Sequence, residues 1–112
     1  MATKKVTIKN IIKYLKKPWI TVTLGKVEDY EVKIVRYEGE YFWHKHEKHD
    51  EFMLVYQGRI SIELENDKTI SLAKGEGAWI EKGTFHRSRG DKKAVVIVFE
   101  RDTIVSDFVK PS

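Results

Sequence analysis

An all-β domain of antiparallel strands, closed as a barrel or sandwich behind one short N-terminal helix, is the fold class this sequence predicts. Three observations carry that reading. Hydrophobic side chains recur at every second position through most of the chain, the pattern of strands with one face buried. Glycines at 25, 39, 58, 75, 77, 83 and 90 punctuate those runs, at spacings that suit short hairpin-linked strands and leave no room for crossover helices. Only one stretch, close to the N-terminus, carries a helical period.

That stretch is Thr7 to Lys17, where Ile8, Ile11, Ile12 and Leu15 fall on one helical face. Thr7 is the expected N-cap, lysines occupy the last turn where the helix dipole favours them, and Pro18 ends the segment. From Trp19 the period becomes two. Expected strands run over Trp19–Leu24, Tyr30–Tyr37, Glu51–Tyr56, Ile60–Glu65, Ile70–Leu72, Ala78–Ile80, Phe85–Ser88 and Ala94–Phe99. Asn66-Asp67 reads as a tight hairpin turn, and Gly90-Asp91 as a turn between the last two strands. In the tail, Ile104, Val105, Phe108 and Val109 predict packing against the body. The organisation expected is one domain over residues 1–112, with helix 7–17, barrel 19–101 and C-terminal tail 102–112.

Composition narrows the function classes. The chain has no cysteine, which excludes disulfides, thiolate zinc sites and thiol nucleophiles. No apolar run approaches the ~20 residues of a membrane span and the N-terminus has no apolar signal core, so the expected location is the cytoplasm. A net charge of +4 raises nucleic acid as a partner. The lysines are interleaved with glutamates along the chain, with no arginine stripe among stacking aromatics, so a solvated surface is the expectation and neither nucleic acid nor membrane is a predicted partner.

Chemistry concentrates in Trp43-His44-Lys45-His46-Glu47-Lys48-His49-Asp50-Glu51, with His86 downstream. Side chains two apart share a strand face, so His44 and His46 enter the interior together. Glu51 opens the next strand and His86 opens the one after Gly83. Imidazole and carboxylate suit divalent first-row metals. Asp50 is the alternative carboxylate to Glu51, and His49 falls in the connection as a rim residue or a proton shuttle. Met53 and Val55 share the parity of Glu51 and belong inside; Trp43 and Trp79 read as packing residues, with substrate stacking the alternative. Phe52, Leu54 and Tyr56 then face outward as an apolar patch that soluble monomers avoid. Either the helix covers it or a second subunit does, and a homodimer is the prediction.

The spacing Gly39-(x4)-His44-x-His46-(x4)-Glu51-(x6)-Gly58 resembles the first cupin motif, and Gly77-(x5)-Gly83-x-x-His86 resembles the second. The resemblance runs over roughly residues 30 to 100 and is nearest to the small single-domain cupins of the conserved-barrel, mannose-6-phosphate isomerase-like type. It implies a jelly-roll β-barrel enclosing one divalent metal ion (Fe, Mn, Ni, Co or Zn), with His44, His46, Glu51 and His86 as ligands. The first interval is one residue short, Glu81 replaces a usual proline and Gly90 a frequent asparagine. These departures bear on loop shape and subfamily.

The implied activity is a metal-dependent reaction on a small molecule, of isomerase, oxygenase or decarboxylase type, with Glu31, Tyr37, Glu47 and His49 as candidate general bases. Two other readings stay open. One is a non-catalytic module that binds or senses a small ligand, and the other is a structural metal site in a stable barrel.

Overall fold

The computed structural model describes residues 3–108. Among them a single α-helix, α1 (Ile8–Ile12), precedes nine antiparallel strands. These are β1 (Thr21–Val27), β2 (Tyr30–Glu40), β3 (His44–Lys45), β4 (Glu51–Gln57), β5 (Arg59–Leu64), β6 (Thr69–Ala73), β7 (Gly77–Ile80), β8 (His86–Arg101) and β9 (Asp107–Phe108).

β8 is the strand from which the pairings branch. From Val95 to Glu100 it lies between β2 and β4, and from His86 to Gly90 it runs beside β5. β1 extends the sheet beyond β2, β7 beyond β4 and β6 beyond β5. Alternation places Lys33, Val35 and Tyr37 of β2, Glu51, Met53 and Val55 of β4, and Ser88, Ala94, Val96, Val98 and Glu100 of β8 on the inner side. Ile60, Ile62, Leu72 and Ile80 fill the rest of that interior. Met53 and Val55 are buried, as their shared parity with Glu51 requires.

Two expected strands, Phe85–Ser88 and Ala94–Phe99, are one. Gly90 and Asp91 do not reverse the chain, because a side chain at Gly90 would stand 2.6 Å from the Tyr37 carbonyl oxygen. Glycine lets β8 press onto β2 where the register shifts between Tyr37 and Gly39, a bulge that bends the pair without ending it. Gly90→Ala is expected to lower unfolding free energy by about 1–3 kcal/mol, measured in urea. A variant as stable as the parent contradicts this account of the bend. Gly25 is likewise no turn; it sits within β1 at a second register shift. The Asn66-Asp67 turn is as expected, with φ of 63° and 59° at the two residues, the left-handed pair that a tight hairpin needs.

The N-terminal helix is shorter than residues 7–17. α1 ends at Ile12, and the Thr7 side chain makes no capping hydrogen bond. Beyond it, the carbonyls of Leu15 and Lys16 accept from the Arg36 guanidinium at 3.3 and 2.8 Å. Those carbonyls are thus satisfied by β2 outside any helix, and Leu15 is buried anyway. With Ile8, Ile11 and Ile12, Leu15 packs over Ile34 and Val95 on the outer face of the β2–β8 sheet. α1 therefore does not cover Phe52, Leu54 and Tyr56. In the tail, Ile104 is half-buried while Val105 and Phe108 are exposed; Val109 lies outside the described residues.

Candidate metal centre

Three imidazoles arrive at one point from different parts of the chain. His44 on β3 pairs across to His86 at the start of β8, and their ring centroids are 4.4 Å apart. His46 lies just past the end of β3, 5.1 Å from His44 and 5.9 Å from His86 between ring centroids. All three are buried, and one nitrogen from each lies within 4.8 Å of the others.

Hydrogen bonding fixes which nitrogens converge. Nδ1 of His44 donates to the Phe42 carbonyl at 2.8 Å, Nδ1 of His86 to the Thr84 carbonyl at 2.9 Å, and Nδ1 of His46 to the Val105 carbonyl at 3.1 Å. A carbonyl can only accept, so each Nδ1 carries the hydrogen and each Nε2 keeps its lone pair. Nε2 of His46 and of His86 are buried with no hydrogen-bond partner in the protein. Each such orphan costs about 1–3 kcal/mol, and a bound cation would offset it. Burial also holds the His44 imidazolium below its ordinary range and pushes that of His86 down to about 4. Both rings are therefore neutral, as ligands must be, at neutral pH.

Glu51 opens β4 beneath this cluster. Its carboxyl oxygens lie 3.7 Å from His46 Nε2 and 3.9 Å from His86 Nε2. Ligands bound at about 2.0–2.2 Å to one ion stand roughly 3–3.6 Å apart, so a small inward shift of the carboxyl would complete a fourth position. Burial first, then the charge and hydrogen bond of Glu100, raise the Glu51 carboxyl to about 8, with the Lys33 ammonium acting against them. The donor set and its orphaned nitrogens fit a divalent cation.

The centre opens into a cavity of about 250 Å³ lined also by Lys33, Tyr37, Tyr41, Ser88 and Glu100. Of the candidate bases, only Tyr37 reaches it, and burial holds its phenol well above the ordinary range. Tyr37 therefore keeps its proton and serves as a donor. Glu31 shares its face but turns to Lys33 at 3.5 Å. Glu47 is exposed and pairs with Lys45 at 2.9 Å. His49 does not line this cavity; it lines two others, one of which it shares with Glu51. Asp50 does not line this cavity; its carboxylate accepts from the Lys82 amide at 2.9 Å. Trp43 stacks on Phe85 under Arg87, and Trp79 is 66% exposed on the outer sheet face; neither lines the centre.

Glu100 and Lys33 are the site residues that the motif reading missed. Their Nζ to Oε1 separation is 3.7 Å. A signal existed in each case. The alternation Ala94, Val96, Val98 carries on to Glu100, and Tyr37, Val35 leads back to Lys33.

An antiparallel β shell with three lone-pair nitrogens converging beside a buried carboxyl is a candidate single-ion metal-binding site. The chain belongs to the cupin family: the Cupin domain family model matches residues 33–100. It is 32% identical over 78 residues to the uncharacterized protein YdbB of Bacillus subtilis (strain 168), covering 70% of this chain and 69% of that one. Among solved structures, a cupin-2 domain containing protein from Shewanella frigidimarina superposes with a TM-score of 0.83 at 26% identity, over 86% of this chain and 93% of that one. Hydroquinone 1,2-dioxygenase PnpCD, in complex with Cd2+ and 4-hydroxybenzonitrile, superposes with a TM-score of 0.71 at 21% identity, over 82% of this chain and 69% of that one, a likeness of fold.

Proposed function

We propose that this cupin is a metal-dependent enzyme acting on a small molecule, with one divalent ion held by Nε2 of His44, His46 and His86 and by the Glu51 carboxylate. The observation that carries the reading is the trio of Nδ1–H···O=C bonds, which turns three lone pairs toward one point at the head of a polar cavity. Backbone acceptors of this kind set tautomer and ring orientation at metal-binding histidines. A purely structural site would have no use for an adjoining cavity. When bound, the ion would polarise a substrate carbonyl or carboxylate, or activate dioxygen.

The surrounding residues have separable roles. Lys33, held at 3.5 Å from Glu31 and 3.7 Å from Glu100, presents a cation beside the substrate space. Glu100 stands within hydrogen-bonding reach of Glu51 and is the group placed to take or return a proton. Tyr37 donates, and Val98 with Ile104 excludes water from part of the wall. Zinc, favouring four ligands, would be saturated by this set; iron, manganese, nickel or cobalt would keep two positions open for substrate.

The test is metal analysis of natively purified protein, followed by turnover and binding measurements with small carboxylates and sugars. Bound metal with turnover supports the enzyme. Ligand binding without turnover establishes the sensing module instead, and metal that only raises the melting temperature establishes the structural site.

We further propose that two copies pack through the outer face of β4, β7 and β8. Phe52, Leu54, Tyr56, Trp79 and Phe99 lie there outside the cluster that α1 forms, and Trp79, Phe99 and Tyr56 are exposed. Sedimentation at micromolar concentration is expected to give a dimer, and a monomer there refutes the packing.

A further inference from the structure

Two of the three histidines are oriented locally and one is not. His44 and His86 each donate to a carbonyl two residues back in their own strand approach. His46 instead donates to Val105, 59 residues away, with the Ser106 hydroxyl at 3.5 Å. We propose that residues 102–108 form a metal-responsive strap, in which the Val105 carbonyl and the Phe108 ring position His46 and His44, so that strap docking and metal binding strengthen one another. The proposal rests on the metal centre described above and adds the segment that controls it.

The strap touches the centre at three places. Val105 holds His46, the Phe108 ring lies 5.8 Å from that of His44, and Ile104 and Ser106 form part of the cavity wall. Its anchorage is slight. At one end Asp102 pairs with Lys26 at 3.0 Å, and its amide donates to the Asp29 carbonyl at 2.9 Å. At the other, β9 is two residues long and pairs with β3. Val105 and Phe108 are 69% and 58% exposed, and no strap residue belongs to either core cluster. Segments with so little burial sit at the low end of local stability and open without global unfolding.

Opening would release the His46 ring from its acceptor and expose the cavity wall. An ion that needs the Nε2 lone pair of His46 in place binds the docked form better. By linkage the ion must then stabilise docking by the same factor as docking tightens the ion. The strap is thereby the brace of two ligands and part of the wall of the cavity beside them.

The experiment uses the full chain, Co2+ as probe, and the variants Phe108→Ala and Phe108→Tyr. Phe108 is largely exposed, so its replacement leaves the core intact. Three readouts are taken: Co2+ affinity, the visible absorption of bound Co2+, and amide hydrogen exchange over residues 103–108. Co2+ is expected to slow that exchange in the wild type. Phe108→Ala is expected to weaken Co2+ binding by about tenfold, the scale of losing a partner that orients a ligand, and to alter the absorption bands; Phe108→Tyr restores both. If Co2+ binds the wild type and Phe108→Ala equally well and leaves the exchange unchanged, the strap is overturned and the metal centre stands. If the wild type binds no Co2+, both fall together.

Discussion

His46→Ala abolishes metal binding and leaves a folded barrel. Losing a residue that merely orients a ligand costs 10–100-fold in affinity, so losing the ligand itself is expected to cost more than about 100-fold. The fold survives because His46 lies beyond the end of β3 and outside both apolar clusters, while the interior of Met53, Val55, Ile60, Ile62 and Val96 is untouched. The substitution also deletes a buried nitrogen without a hydrogen-bond partner, which offsets part of the packing lost when an imidazole becomes a methyl. Metal content and thermal melting, measured on the same sample, check both halves. A variant that retains metal at wild-type affinity removes His46 from the ligand set. A variant that fails to fold makes the ion structural.

Metal binding at pH 7 releases close to one proton. The Glu51 carboxyl, raised to about 8 by burial and by Glu100, is mostly protonated at that pH and must ionise to become a ligand. Affinity is therefore expected to fall about tenfold for each unit of pH below 8. As pH drops further, protonation of His44, depressed by burial, and of His86, depressed to about 4, ends binding. The signs for the metal-free protein oppose each other. Glu51, raised from 4.5, contributes stability that is present below that pH and lost as pH rises through 8; His86, lowered from 6.5, contributes stability present above 6.5 and lost as pH falls toward 4. Calorimetric titration of the ion in two buffers of different ionisation enthalpy counts the protons. No proton release at pH 7 contradicts a Glu51 carboxyl that is protonated before the ion binds and gives its proton up to solvent.

Much of the centre was legible because strand alternation is rigid. Alternation puts His44 and His46 on one face, Met53 and Val55 follow the parity of Glu51 on the next strand, and the separation of His86 from Gly83 sets it at a strand start. What escaped lies where that rule was stopped early or does not apply. The apolar run of β8 ends at Phe99, yet the inner face continues to Glu100 and meets Glu51. Gly90 reads as a turn, because a sequence does not show that a neighbouring carbonyl requires the missing side chain. The helix over 7–17 had the right period, but Arg36 captures the carbonyls of Leu15 and Lys16 instead. The acceptor for His46 is a backbone carbonyl, and any residue at position 105 would supply one. No residue type marks such a contact, so only the folded chain reveals it.

Anomalous diffraction from crystals grown with Ni2+ or Mn2+ locates the ion that the three imidazoles would hold. One strong peak is expected inside the shell, about 2.0–2.2 Å from Nε2 of His44, His46 and His86, with a Glu51 oxygen completing the near side. A peak on the outer surface, ligation through any Nδ1, or no peak among the three rings would contradict it.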